Sequence, residues 1–273
     1  MKTARYIFLR PGLAIGVFIL AFTGLVALLA PWVAPHDPFE QELLFGLGTP
    51  SAGHIMGRDL LGRDVFSRII HGSRISFSVG FIVIGISASF GIFAGSVAGS
   101  IGGRAEMLLM RIMDMAQAFP GLLLAISIMA VLGPGFGNLT LALCLTGWVN
   151  FARLTRGQIL SLREREFVTA AIASGAGRTR LVFFHYLPNA AAPLLVEATF
   201  GLASVIVAEA GLGFLGLGIQ PPAPSWGSML NEGRPFLLIA PHLTLFPGLC
   251  LLLLVLGVNL VGDALRDMLD VKI

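Results

Sequence analysis

The chain has 273 residues, of which 56% are hydrophobic and 12% charged, with a formal net charge of +3 and a mean hydropathy of +0.87. That balance leaves too little polar surface for a water-soluble domain and marks an integral membrane protein. The basic residues form no dense run, which argues against a nucleic-acid partner; Cys144 and Cys250 lie in apolar runs and the five histidines are scattered, so neither a disulfide framework nor a metal-ligand spacing emerges.

A charge-free stretch of about twenty residues crosses roughly 30 Å of hydrocarbon as a helix with its backbone bonded internally. The first such run lies between Arg10 and Asp37, centred on LAIGVFILAFTGLVALLA. Lys2, Arg5 and Arg10 precede it, but it is too long for a signal-peptide core and lacks a clean small-residue cleavage site, so a retained anchor is expected. The segment GRDLLGRDVFSRIIHGSRIS follows, with Asp64 and Arg68 spaced i,i+4, acid first. Either a solvated helix or a partner contact accounts for that pair.

The second run, between Arg74 and Arg104, carries Ser87, Gly91, Gly95, Gly99 and Gly103 every four residues. This stripe lets another helix backbone approach closely, within the subunit or across an assembly. The charge-free stretch from Asp114 to Arg153 is cut at Gly133–Asn138 by GPGFGN, giving expected third and fourth spans.

Arg163 to Asn189 is too polar to span. REREFVTAAIAS has helix-forming residues, with Phe167, Ala170, Ala171 and Ser174 on one face. Gly175 and Gly177 supply backbone freedom for a turn, RTRLVFFHY resumes a helix, and Pro188 is expected to stop it. An interfacial hairpin resting on lipid and a docking surface both fit this pattern.

The fifth span follows within AAAPLLVEATFGLASVIVAEAGLGFLGLG, where Glu197 and Glu209 are the only charges. Intramembrane carboxylates face a bundle interior or a cavity, so a structural role and solute contact both stand. QPPAPSW reads as a stiff connector with Trp226 as an interfacial anchor. FLLIAPHLTLFPGLCLLLLVLGVNL is the sixth span. With the N-terminus inside, thirteen basic residues fall on the cytoplasmic side (Lys2, Arg5, Arg10, Arg104, Arg111, Arg153, Arg156, Arg163, Arg165, Arg178, Arg180, Arg266 and Lys272). Five fall outside, at Arg58, Arg63, Arg68, Arg74 and Arg234. This asymmetry predicts both termini in the cytoplasm.

TAAIASGAGRTRLVFFHYLP resembles the EAA loop of ATP-binding-cassette (ABC) importer permeases: Ala170, Ala171, Gly175, Leu187 and Pro188 match its pattern, while Thr169 stands at the usual Glu and His185 at an apolar position. GRDLLGRDVFSR, FLGLGIQPPAPSWGSML and NLVGDALRDMLD are similar to segments of the second, C-type permease subunit of dipeptide, oligopeptide and nickel importers, with Gly213 in place of a frequent Ser. The resemblance implies an all-α polytopic protein of the bacterial inner membrane, with six transmembrane helices in the type I ABC importer permease fold. It implies an N-terminal helix and periplasmic segment at 1–73, a permease domain at 74–263 and a cytoplasmic tail at 264–273.

The implied function is a non-catalytic permease subunit importing short peptides, with a nickel complex or glutathione as alternatives and a secondary carrier as the rival outside the family. The implied ATPase-coupling residues are Thr169, Ala170, Ala171, Gly175, Gly177, Leu187 and Pro188. The implied partners are a companion permease, two cytoplasmic ATP-binding subunits or domains and an extracytoplasmic solute-binding protein, besides membrane lipid. The chain has no Gly-x-x-x-x-Gly-Lys-Ser/Thr loop, so no cofactor is expected in it, and ATP and magnesium belong to the partner subunits. No His-Glu-x-x-His or Gly-x-Ser-x-Gly motif points to an intramembrane enzyme.

Overall fold

The computed structural model describes residues 11–269, which build a helical bundle. The inside charges Lys2, Arg5, Arg10 and Lys272 lie outside the described residues. The helices of eight residues or more are α1 (Pro11–Leu28), α2 (Val65–Ile101), α3 (Gly103–Gln117), α4 (Gly121–Leu132), α5 (Phe136–Arg163), α6 (Glu166–Ala173), α7 (Leu187–Phe214), α8 (Trp226–Gly233) and α9 (His242–Leu269).

Four helical stretches are long and apolar enough to cross a membrane: α1, α2, α9 and the rod Arg178–Phe214 that ends in α7. The pair α3 and α4, bent by 79°, makes five when taken as one span. The expected third span is therefore shorter than the charge-free run. Pro120 lacks an N–H and restricts Phe119, so the helix breaks there; α4 keeps 12 residues, about 18 Å against the roughly 30 Å of hydrocarbon. The expected fourth span, α5, has 28 residues but carries Asn138, Asn150, Arg153 and Arg156, and is too polar to qualify by composition. Its arginines are matched by α3: Arg153 pairs with Asp114 at 2.5 Å and Arg156 with Glu106 at 2.5 Å.

The second span starts earlier than its charges indicated. Asp64 caps α2, its side chain accepting from the Ser67 N–H at 2.7 Å, and the helix runs on for 37 residues. It passes without a break through position 74, as α9 passes through 264. Neither Asp64 nor Arg68 is solvated; both are buried. Trp226 is likewise no interfacial anchor: it is 1% exposed, and its Nε1 donates to the Ile69 carbonyl at 3.0 Å. The Ser225–Ser228 capping box starts α8 there and turns the indole into the core.

The centre of the bundle is α2 against α5, with α7 packed on both and α9 on α7 and α1. Lipid tails are as apolar as leucine, so close packing must hold such helices together. Val65, Ile69, Ile206, Trp226, Leu254 and Val258 bring α2, α7, α8 and α9 into one core.

Candidate coupling surface and solute path

The segment after α5 folds as two helical arms around a tight turn. α6 ends in paired bonds, the Ala176 N–H to the Ala171 carbonyl at 3.0 Å and the Gly175 N–H to the Ile172 carbonyl at 2.9 Å, the Schellman arrangement that requires a left-handed residue. Gly175 supplies it with φ +81°. Gly177, expected to share that role, has an ordinary extended backbone at φ −73° as the cap of the turn Arg178–Leu181.

Pro188 does not stop the second arm. The one-turn helix Arg178–Leu181 passes through a π-helical stretch, Val182–Tyr186, straight into α7. Pro188 sits in the first turn of α7, where its missing N–H is tolerated. The arm after the turn is thus continuous with a transmembrane helix, and a force applied at the turn reaches the bundle through a single rod. Val168, Ile159, Leu181, Val182 and Tyr186 form the core beneath the turn. Thr169, Ala170, Gly175, Gly177 and Pro188 are exposed, while Ala171 and Leu187 are half-buried. Phe167 is 43% exposed, its ring 6.4 Å from that of His185. Five of the seven residues expected for coupling therefore lie on open surface.

The glycine stripe faces α5. A Cβ on Gly91 would lie 2.4 Å from the Trp148 carbonyl oxygen, one on Gly95 would lie 2.3 Å from that of Ala152, and one on Gly99 would lie 3.0 Å from the Ile159 Cβ. The Ser87 Oγ would lie 2.9 Å from a Cβ on Gly147. Gly103 leaves the stripe: the chain breaks at Gly102, φ +74°, and Gly103 opens α3 with nothing within 4 Å of its Cβ position.

Between α2, α4, α5 and α7 lies a cavity of about 270 Å³. Glu197 projects into it, with Ser87, Thr146, Asn150 and Ser204 as the other polar lining and Phe151 and Phe200 among the apolar walls. The Gln117 Nε2 donates to the Asn150 Oδ1 at 3.2 Å. Asn150, Thr146 and Ser204 went unnoticed in the sequence, where the only signal was an uncharged polar residue inside an apolar run. Glu209 is different: it is fully buried and accepts from the Ser76 Oγ at 3.0 Å.

At the opposite end from the α6 turn, the loop before α2 folds onto α8. Asp59, Arg63, Arg68 and Glu232 form a network: Arg63 reaches Asp59 at 2.6 Å and Glu232 at 2.8 Å, and Arg68 donates to both acids. His36, His54 and Asp64, far apart in the sequence, bring ligand-type atoms within 4.8 Å of one another. His54 is already engaged on both ring nitrogens, by Asp64 at 2.8 Å and by the Arg58 guanidinium at 2.6 Å. A cation beside it favours a charge-satisfied staple over a metal site. Arg58 also donates to Glu42 at 2.6 Å and so holds that carboxyl below its ordinary value.

Residues 91–273 match the family model described as the binding-protein-dependent transport system inner membrane component. The chain belongs to that family. It is 46% identical over 264 residues to the di/tripeptide transport system permease protein DppC of Pseudomonas aeruginosa, covering 94% of this chain and 87% of the relative. It is 44% identical over 258 residues to the dipeptide transport system permease protein DppC of Alkalihalophilus pseudofirmus, at 94% and 85% coverage. With the glutathione transport system permease protein GsiD of Pectobacterium atrosepticum it shares 40% identity over 272 residues, at 97% and 89% coverage. An inward-facing structure of the MetNI methionine ABC transporter superposes with a TM-score of 0.59 at 18% identity, over 74% of this chain and 96% of that one. The fold is that of a type I ABC importer permease, and the chain is a non-catalytic, multi-pass inner-membrane subunit that works with an ATPase. Membership also disposes of the self-powered carrier.

Proposed function

We propose that this chain forms half of the translocation path of an ATP-driven importer of short peptides. A companion permease supplies the other half, two cytoplasmic ATP-binding subunits or domains hold ATP and magnesium, and an extracytoplasmic binding protein delivers the solute. The observation that carries the coupling role is the continuity of the exposed α6 turn with α7 through Arg178–Leu181 and the π-helical stretch. A nucleotide-dependent push on Thr169, Ala170 and Gly175 is thereby transmitted to the helix that carries Glu197. The excess of arginine around this turn supports the reading that it faces the cytoplasm, on the side of the ATPase.

The peptide reading rests on the di/tripeptide and dipeptide permeases, 46% and 44% identical. Glutathione is the second reading, favoured by the relatives named for it at 40–43% identity; it too is a small peptide-like solute. Reconstitution of the permease pair, ATPases and binding protein into liposomes tests both. ATP-dependent uptake of a labelled dipeptide, outcompeted by other dipeptides more strongly than by glutathione, is the expected result. Uptake of glutathione alone would reverse the assignment.

A further inference from the structure

We propose that Glu197 holds the cationic group of the solute during passage, so that the path favours cationic over anionic peptides. The inference rests on the peptide reading above and assigns a binding residue within it.

Glu197 lies on α7, inside the rod long and apolar enough to span the membrane. It lines two cavities at once: the one of about 270 Å³ between α2, α4, α5 and α7, and a second of about 360 Å³ whose wall includes Leu154, Pro193 and Arg266. A side chain shared by two adjoining cavities is met by whatever moves from one to the other. The first cavity is mostly apolar, with four uncharged polar side chains around this single carboxylate.

A carboxylate at membrane depth is costly unless it is paired. Glu197 shares the first cavity with the Asn150 side chain, which acts on it as a neutral hydrogen-bonding neighbour, and has no cationic partner among the described residues. Arg266 shares the second cavity without pairing with it. Asn150 is itself oriented by Gln117, which donates to its Oδ1 and leaves its NH2 for the carboxylate. The arrangement supplies acceptors and an anion and lacks the counter-cation.

A peptide supplies one. An ammonium group has three N–H donors and meets there the Glu197 carboxylate, with the hydroxyls of Thr146 and Ser204 on the same wall. Glu209 gives the contrast: its carboxylate is fully buried, bonded to Ser76, and lines neither cavity. Of the two acids on α7, one is thus built into the packing and the other faces space.

The test uses the whole transporter in liposomes with its binding protein. Initial uptake of Ala-Lys, Ala-Ala and Ala-Glu is measured with the binding protein saturated by each, so that its own preference drops out. Wild type is expected to favour Ala-Lys over Ala-Glu, and Glu197→Gln to shrink that ratio by about fivefold or more, the size of a modest coupling between sites. Glu197→Asp should restore it. If Glu197→Gln does not assemble, Ser204→Lys, which plants a fixed cation in the same cavity, is expected to shrink the ratio too. A ratio unchanged in the variants, whether total uptake holds or falls, overturns the proposal and leaves Glu197 a packing residue or one paired by the companion permease. A wild type that takes up none of the three peptides overturns the peptide reading itself, and this inference with it.

Discussion

Gly95 and Ala152 bring α2 and α5 so close that a Cβ on the glycine would stand 2.3 Å from the alanine's carbonyl oxygen. Backbone cannot retreat as the tip of a flexible side chain can, so even one methyl group must push the helices apart. Gly95→Ala is predicted to cost about 1–3 kcal/mol, the usual range for overpacking. Gly95→Leu should prevent assembly while leaving membrane insertion intact. Gly85, on the same helix, has nothing within 4 Å of its Cβ position, and Gly85→Ala is expected to be neutral or slightly stabilising. Thermal melts of the purified permease compare the two. Equal effects at both positions would show that the stripe does not set the helix spacing.

Arg68 is the second pressure point. Its side chain is 1% exposed and donates to both Asp59 and Glu232. Removing it with Arg68→Met leaves two acids to share Arg63 alone, the more buried being Asp59 with a side chain only 8% exposed. Losing one partner of a buried pair typically costs about 3–5 kcal/mol, and the Arg63 bond that Asp59 keeps should hold the loss at or below the lower end of that range. Glu232, at 29% exposure, retains some solvent and suffers less. Adding Asp59→Asn should therefore recover part of the loss. A double variant as unstable as the two single losses added together would mean that the pair is not coupled.

The outer loop has a pH signature. Arg58 donates to Glu42 and lowers its pKa from the ordinary value of 4.5. A carboxyl with a depressed folded-state pKa stabilises the fold above its unfolded value and loses that contribution as pH falls through the folded value. Wild type is therefore expected to melt above Glu42→Gln at neutral pH, with the gap closing only below about pH 4.5. Glu42 is exposed and screened, so the gap should be small and should shrink in salt. A gap that is the same at neutral pH and throughout the acid range would contradict the assignment.

Orientation is open to direct chemistry. With Cys144 and Cys250 replaced by serine, Ser51→Cys and Ser161→Cys each offer one exposed thiol. An impermeant maleimide applied to intact cells is expected to label position 51 and to reach position 161 only after lysis. The reverse pattern would turn the protein over in the membrane and move the α6 turn away from any cytoplasmic ATPase.

Charges and glycines were readable in the sequence to the extent that local physics acts on them. The apolar runs located α1, α2, α7 and α9, and the Ser87–Gly99 spacing located the face that meets α5. Gly175 was legible because a Schellman turn asks for a residue that accepts positive φ. What failed was whatever tertiary partners decide. For Arg68 and Asp64 the i,i+4 spacing left a solvated helix and a partner contact equally open, because Glu232, which shares Arg68, is 164 residues away. Pro188 looked like a stop because nothing local announces the π-helical stretch that leads the chain into α7 with the proline in its first turn. The polarity of α5 has no local reason at all; its arginines are answered by Glu106 and Asp114 on α3. The Glu197 cavity was half visible: the acid stood out in its apolar run, but Asn150, Thr146 and Ser204 meet it only once α5 and α7 pack.

The coupling turn gives the last prediction, and it separates two demands made on one residue. Gly175 holds φ +81°, and within this chain a Cβ there would meet nothing within 4 Å. Inside the subunit the demand is therefore conformational, worth about 1–2 kcal/mol for an ordinary L-residue in the left-handed region and less for asparagine. A docked ATPase adds a second demand, for space above the turn. Coupling also requires that the two nucleotide states of the ATPase engage this surface differently, since a contact equal in both shifts no equilibrium. Gly175→Asn is expected to keep the turn and most of the coupling, and Gly175→Ala to weaken the turn modestly. Gly175→Phe should block docking, so that transport and solute-stimulated ATP hydrolysis fall together and less ATPase co-purifies, while the permease stays in the membrane. A Gly175→Phe complex that assembles normally and hydrolyses ATP in step with transport would remove the turn from the coupling path, and the hairpin would then be an arm resting on lipid.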